Sequence, residues 1–265
     1  MYSPVTLILK YLRYYLTASN GKGHGVHSPF VFNFITKILN DTRKPGVFNK
    51  IEQVRKALLR NTSLLTIKDF GAGSAVAKAN RRSIRQIATS SLKPKKFGQL
   101  FFRMVQYYKP FTIVELGTSL GITASYFAAA NPTSKVYTLE GSESVANVAH
   151  ENFQQLGISN ISLIRGNFND TLPVLLQRLN AIDLAFIDGN HRRQPTINYF
   201  EQLLKKADEN SVFIFDDIHW SREMEEAWQY IQQHPSVTLS IDLFFIGIIF
   251  FRKEQKVQQH FTVRF

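Results

Sequence analysis

Four apolar runs in the second half of this chain carry a carboxylate at or near their end. They hold Glu115, Glu140, Asp188, and Asp216 followed at once by Asp217. Acids in such places can accept hydrogen bonds from hydroxyls, hold a cation, or take part in proton transfer. The first acid opens the run Glu115-Leu116-Gly117-Thr118-Ser119-Leu120-Gly121, which leads into a helix-forming stretch over residues 122–130. This is how a strand turns beneath a nucleoside: the glycines let backbone approach a ligand, and the helix N-terminus points at it. The E-x-G-x-x-x-G spacing differs from G-x-G-x-x-G, which favours a nucleoside over a pyrophosphate dinucleotide. His191 and His219 follow Asp188 and Asp217 closely and add groups that titrate near neutral pH.

The elements that must position these residues alternate regularly. A short apolar β-branched run leads into the Glu115 stretch. Further strands are expected over 135–140, 161–165, 182–188 and 211–216, and helices over 122–130, 144–156, 172–179, 195–206 and 221–234. Ala185-Phe186-Ile187 and Val212-Phe213-Ile214-Phe215 read as strands buried on both faces. Alternation of this kind implies a doubly wound parallel sheet, whose ligands bind beyond the carboxyl ends of the strands. Residues 238–242 and 246–251 read as a closing antiparallel hairpin. The fold class expected is α/β: a Rossmann-like, mostly parallel seven-stranded sheet with a terminal hairpin, plus a mainly helical N-terminal region.

At these residues the chain resembles the class I S-adenosylmethionine-dependent methyltransferases, over roughly residues 97–252. The resemblance implies that Glu115, Gly117, Thr118, Ser119 and Gly121 form the cofactor loop. It implies that Glu140 and Gly141 lie at the ribose, and that Asn167 and Phe168 lie on the adenine side, where Asn167 stands in place of the usual aspartate. Within the family the chain is similar to the metal-dependent catechol and caffeoyl-CoA-type O-methyltransferases and their bacterial relatives. That likeness implies a divalent cation, Mg²⁺ or another such as Ca²⁺ by its oxygen ligands, held by Asp188, Asp216 and Asp217. It also places His191 where those enzymes carry a lysine base. The candidate catalytic residues are therefore His191, Asp188 and His219, with metal ligation or a substrate contact as other readings of His191. Asp188 is also a candidate cofactor contact.

A second loop-like stretch, Asp69-Phe70-Gly71-Ala72-Gly73-Ser74, follows a candidate strand at 64–67. No acid follows it before Glu115, only nine Lys and Arg between Phe70 and Val114, so it reads as a flexed loop and not the cofactor site. Residues 1–96 are expected to form a helical cap with helices over 4–17, 29–39 and 50–60, and residues 97–265 the cofactor-binding domain. His24 and His27 lie in a glycine-rich link and read as solvated.

The chain has 265 residues, a formal charge of +12 and no cysteine, which excludes disulfides and thiolate zinc sites. Basic residues cluster at Lys78, Arg81, Arg82, Arg85, Lys93, Lys95 and Lys96. A positive face attracts nucleic acid, anionic lipid or an anionic small molecule. No apolar span reaches the ~18 residues needed to cross a membrane, and the start lacks a small-residue cleavage site. A cytoplasmic enzyme is expected, acting on a small or lipid-like acceptor, with anionic molecules among the candidates. The alternatives are an RNA methyltransferase using the basic face, or a non-catalytic module that kept the fold. Residues 4–17 read as packed on the domain, lying on a membrane surface, or meeting a second copy in a homodimer.

Overall fold

The computed structural model describes residues 1–67 and 81–265. In chain order its elements are α1 (Pro4–Thr17), α2 (Pro29–Phe34, continued by a π-helical turn over Ile35–Leu39), α3 (Val47–Leu58), β1 (Leu64–Thr66), β2 (Arg81–Ser83), α4 (Ile84–Ser91) and α5 (Lys95–Tyr108). Then follow β3 (Thr112–Leu116), α6 (Ile122–Ala130), β4 (Lys135–Glu140), α7 (Glu143–Gln155), β5 (Ile161–Arg165) and α8 (Phe168–Arg178). The remainder is β6 (Leu184–Ile187), α9 (Arg193–Leu204), β7 (Val212–Asp216), α10 (Arg222–Gln233), β8 (Leu239–Asp242), β9 (Ile246–Phe250) and β10 (Gln259–Thr262). Serine side chains start several helices: Ser3, Ser28, Ser83 and Ser221 accept from backbone amides of the first turn, and Pro4 and Pro29 follow two of them.

Two compact units divide the chain: Thr42–Leu179, and Met1–Asp41 with Asn180–Phe265. The boundary expected at residues 96–97 falls inside α5. In the first unit β3, β4 and β5 are parallel, with Glu115 paired to Thr138 and Glu140 to Arg165. Helix α5 lies close on α6 because Gly98 leaves room for the Tyr126 ring, which a β-carbon would approach to 2.5 Å. The Tyr126 hydroxyl donates to Glu52, which also receives Arg55, tying α3 to α6. The strand expected at 64–67 forms as β1, antiparallel to β2. The Asp69–Ser74 stretch and Lys78 lie outside the described residues.

In the second unit the strands run in the order β10-β8-β9-β7-β6. β6 and β7 are parallel, β9 is antiparallel to β7 and β8, and every residue of β6 to β9 is buried. The expected hairpin is thus β8–β9. Strand β10, parallel to β8, was not anticipated, so the units hold eight strands in these ladders where seven were expected. Its pattern of half-buried and exposed residues gave little signal, since an edge strand needs no long apolar run. Helix α1 packs through Tyr11, Tyr14 and Ala18 on Phe244, and α2 through Phe30 and Phe34 on Phe250. On α10, Trp228 packs against Gly247, whose missing side chain admits the indole.

Candidate active site

The loop between β3 and α6 is built on left-handed backbone. Gly117, Ser119 and Gly121 have φ of 106°, 47° and 80°. Gly117 and Thr118 both donate their amides to the Leu139 carbonyl, which closes the loop over the end of β4. Glu140 completes it: one carboxylate oxygen accepts the Ser119 amide at 2.8 Å and the other the Ser142 amide at 2.9 Å. Each carboxylate oxygen keeps further acceptor capacity, so this pair of bonds leaves room for a diol. The Ser119 hydroxyl bonds Ser91 at 2.8 Å, anchoring the loop to the end of α4. Gly166, with φ of 133°, donates its amide to the Glu140 carbonyl and so joins the next loop to the same strand end.

Glu115 lies beneath this loop. It is fully buried and accepts the Thr138 hydroxyl from the paired strand. Thr138 spends its proton there, so Thr118 donates to Thr138, and a chain of three side chains supports the loop from beneath. Burial pushes the Glu115 carboxyl up to about 8, only partly opposed by the Thr138 hydrogen bond, and nearby Glu140 raises it further. Its Oε1 is buried with no hydrogen-bond partner. The Glu140 acceptor pair at a strand end and the glycine backbone of the loop suit a ligand bearing a ribose diol, and they fit S-adenosylmethionine.

Two expected loop contacts turn out to have local reasons. A β-carbon on Gly121 would lie 2.6 Å from the Phe153 ring, so this glycine serves its αL turn and the packing of α7. Asn167 caps α8, its side-chain oxygen accepting the Asn169 amide at 2.9 Å, which accounts for an asparagine there. Phe168 begins α8 and Gly141 lies in the bend before α7, both half-buried. Thr138, Ser142 and Ser91 carry the loop yet bear no sequence signal. Strand register and loop closure select them.

In the other unit Asp188 directly follows β6, and His191 Nε2 lies 3.4 Å from its Oδ1. Asn190 and His191 have φ of 68° and 36°, and Asn190 donates to the Tyr199 hydroxyl. Two consecutive left-handed residues with side chains are costly and persist where the surroundings impose them. The result is an imidazole raised on a turn and oriented by a carboxylate, still partly open to solvent.

His219 is held otherwise. Its Nδ1 bonds Glu225 at 3.0 Å, its Nε2 bonds Asp242 at 2.8 Å, and its ring stacks on Phe244. Burial lowers its pKa, but the hydrogen bonds and charges of Asp242 and Glu225 outweigh this and leave it raised. Both of its nitrogens are engaged, so His219 joins the β7–α10 link to Asp242 at the end of β8.

Among the described residues no group of three or more His, Asp or Glu side chains is arranged to hold a metal ion. The expected set of Asp188, Asp216 and Asp217 is therefore not assembled here. Asp216 is buried at the end of β7, Asp188 is engaged with His191, and Asp217 sits on left-handed backbone (φ 53°) with its amide bonded to the Phe245 carbonyl. The cap of α10 is Ser221 and not Asp217.

A methyltransferase-domain family model matches residues 114–218. A tRNA (guanine-N(7)-)-methyltransferase of Mycoplasma mobile is 31% identical over 100 residues, 36% of this chain and 50% of that protein. The O-methyltransferase imqG of Aspergillus flavus is 29% identical over 111 residues, 40% of this chain and 44% of that protein. The chain thus spans half or less of these curated relatives. The O-methyltransferase from Bacillus cereus, solved in complex with S-adenosylhomocysteine, shares the fold at TM-score 0.57 and 20% identity, covering 83% of this chain and 97% of that one. The S-adenosylhomocysteine-bound methyltransferase PaMTH1 of Podospora anserina does so at TM-score 0.58 and 13% identity, covering 96% and 98%. Loop, strand-end acids, domain match and shared fold agree: residues 114–218 match a methyltransferase-domain model, and the chain shares the fold of these methyltransferase structures.

Proposed function

We propose that the protein transfers the methyl group of S-adenosylmethionine to an oxygen atom of a small or lipid-like acceptor. The observation that carries this reading is the Asp188–His191 pair on its left-handed turn beyond β6. When bound, the cofactor supplies an electrophilic sulfonium methyl. The Gly117–Gly121 backbone and Glu140 hold it at the amides and ribose, while Glu115, Thr138 and Thr118 keep that loop in shape. His191 takes the proton of the acceptor hydroxyl, and Asp188 orients the ring and stabilises the imidazolium that results. With the methyl donor bound, the acceptor oxygen would form the C–O bond as the C–S bond breaks, so the chain's own residues need supply only positioning and the base. On this reading residues 97–265 carry the cofactor and the chemistry, and residues 1–96 help to shape the acceptor's surroundings. A divalent ion at Asp188, Asp216 and Asp217 would need these side chains to regroup, and no step is assigned to it.

Transfer of labelled methyl from S-adenosylmethionine to phenols, catechols and hydroxylated lipids tests the proposal. Turnover should be lost in His191→Ala while cofactor affinity is kept. Loss of turnover with EDTA and recovery with Mg²⁺ would bring the metal back. The tRNA methyltransferase likeness and the basic charge support one other reading. Label entering RNA, and none of these hydroxyl acceptors, would favour it over this one.

A further inference from the structure

Helix α1 is mounted inside out. Lys10, Tyr11 and Tyr14 face the protein: Lys10 Nζ bonds both oxygens of Glu225 at 2.9 and 3.0 Å, Tyr2 just before the helix donates to the same carboxylate at 2.7 Å, and Tyr14 donates to the Val263 carbonyl. Tyr11 and Tyr14 pack on Phe244, the ring that also stacks on His219. The aliphatic residues face out. Val5, Ile8, Leu9, Leu12 and Leu16 are 50–77% exposed. Their spacing puts them on one helical stripe, flanked on one side by Arg13 and on the other by Tyr15, whose ring lies 4.9 Å from the Arg264 guanidinium. A helix ordinarily turns such a stripe toward the core, so leaving five large aliphatics in water calls for an occupant.

We propose that this stripe docks on an anionic lipid surface, with α1 lying in the plane of the interface. Charge complementarity selects that occupant. Besides Lys10, whose charge Glu225 takes up, residues 1–40 contain Arg13, Lys22 and Lys37 and no acid, and the whole chain carries +12. An apolar face with a basic and aromatic rim is the make-up of an interfacial helix. A second copy fits less well. Two +12 chains repel, and five side chains on one helix fall far short of the roughly 20–30 residues a side that a stable interface uses. The helix does not span. At 14 residues it is ~21 Å long, against a hydrocarbon thickness of ~30 Å.

Co-sedimentation of the full chain with vesicles tests this. Phosphatidylcholine vesicles containing phosphatidylglycerol should bind it, and pure phosphatidylcholine at least ~10-fold more weakly, with the difference shrinking at high salt. The exposed double variant Leu12→Glu/Leu16→Glu should lose at least ~10-fold in binding while its circular dichroism and melting stay those of wild type. Arg13→Glu should lose about 5-fold or more, since each basic residue near such a surface contributes that order of affinity. Failure of the wild type to bind anionic vesicles overturns the proposal, as does binding that survives the double substitution. So does a dimer in light scattering that the double variant dissociates, because the stripe is then covered by a second copy.

Discussion

Removing the Glu140 carboxylate should damage cofactor binding in two ways at once. In the free protein its two oxygens take the Ser119 and Ser142 amides at 2.8 and 2.9 Å, and these bonds help keep Ser119 in its left-handed conformation. In the complex the same carboxylate is the acceptor offered to the ribose hydroxyls. A hydrogen bond to a charged group contributes about 1.5–3 kcal/mol. If Glu140→Ala loses one such contribution from ligand contact, S-adenosylhomocysteine binding should weaken by roughly 10- to 150-fold. Loop disorder in the free variant can only add to that loss. Glu140→Gln keeps one acceptor oxygen and the side-chain shape, so it should fall between wild type and alanine. Titration calorimetry with S-adenosylhomocysteine reads all three proteins, and circular dichroism confirms that they are folded. An alanine variant that binds within about twofold of wild type would refute the ribose assignment. Full affinity in the glutamine variant alongside a weak alanine variant would show that loop shape, and not charge, is what Glu140 supplies.

Other outcomes follow from the same geometry. His191→Ala should lower turnover by about 10²- to 10⁴-fold, the usual loss of a general base, with unchanged S-adenosylhomocysteine affinity in the same titration. Because the Glu115 carboxyl is raised from 4.5 to about 8, the folded state binds its proton more tightly than the unfolded chain does. Its contribution to stability therefore falls as pH rises from 4.5 to about 8, and urea titrations should show that slope reduced in Glu115→Gln. His219 is raised by its two carboxylates, so its clamp contributes fully below its ordinary 6.5 and is lost as pH climbs through the higher folded value. His219→Ala should cost about 2–3 kcal/mol in the acid arm of that profile and less above it, as measured by denaturant unfolding. Gly247→Ala should destabilise by about 1–3 kcal/mol, since its β-carbon would meet the Trp228 ring at 2.5 Å.

The alternation of strands and helices was legible in the chain, as were the strand-end acids and the glycine spacing of the β3–α6 turn. So was α1 over residues 4–17, because a serine cap followed by proline is a local signal. These are consequences of short-range chemistry: side-chain periodicity, backbone freedom at glycine, and capping within one turn. The family likeness rested on the same residues. Burial and partners were decided elsewhere. Nothing near Glu115 announces that Thr138 stands opposite it; the register of two parallel strands does that, and it gives the buried carboxyl its partner. His219 reads as a base from its place in the chain, and only the fold brings Asp242, 23 residues away, to one nitrogen while Glu225 takes the other. The aspartates after β6 and β7 looked like a metal set, yet the backbone at Asp217 and the Asp188–His191 pair leave them ungrouped. Helix α1 had a readable amphipathic pattern, but only the position of Glu225 and Phe244 determined which of its faces turned inward. Local propensity is written residue by residue, whereas desolvation and pairing depend on what long-range folding places alongside, and that is information a single sequence does not display.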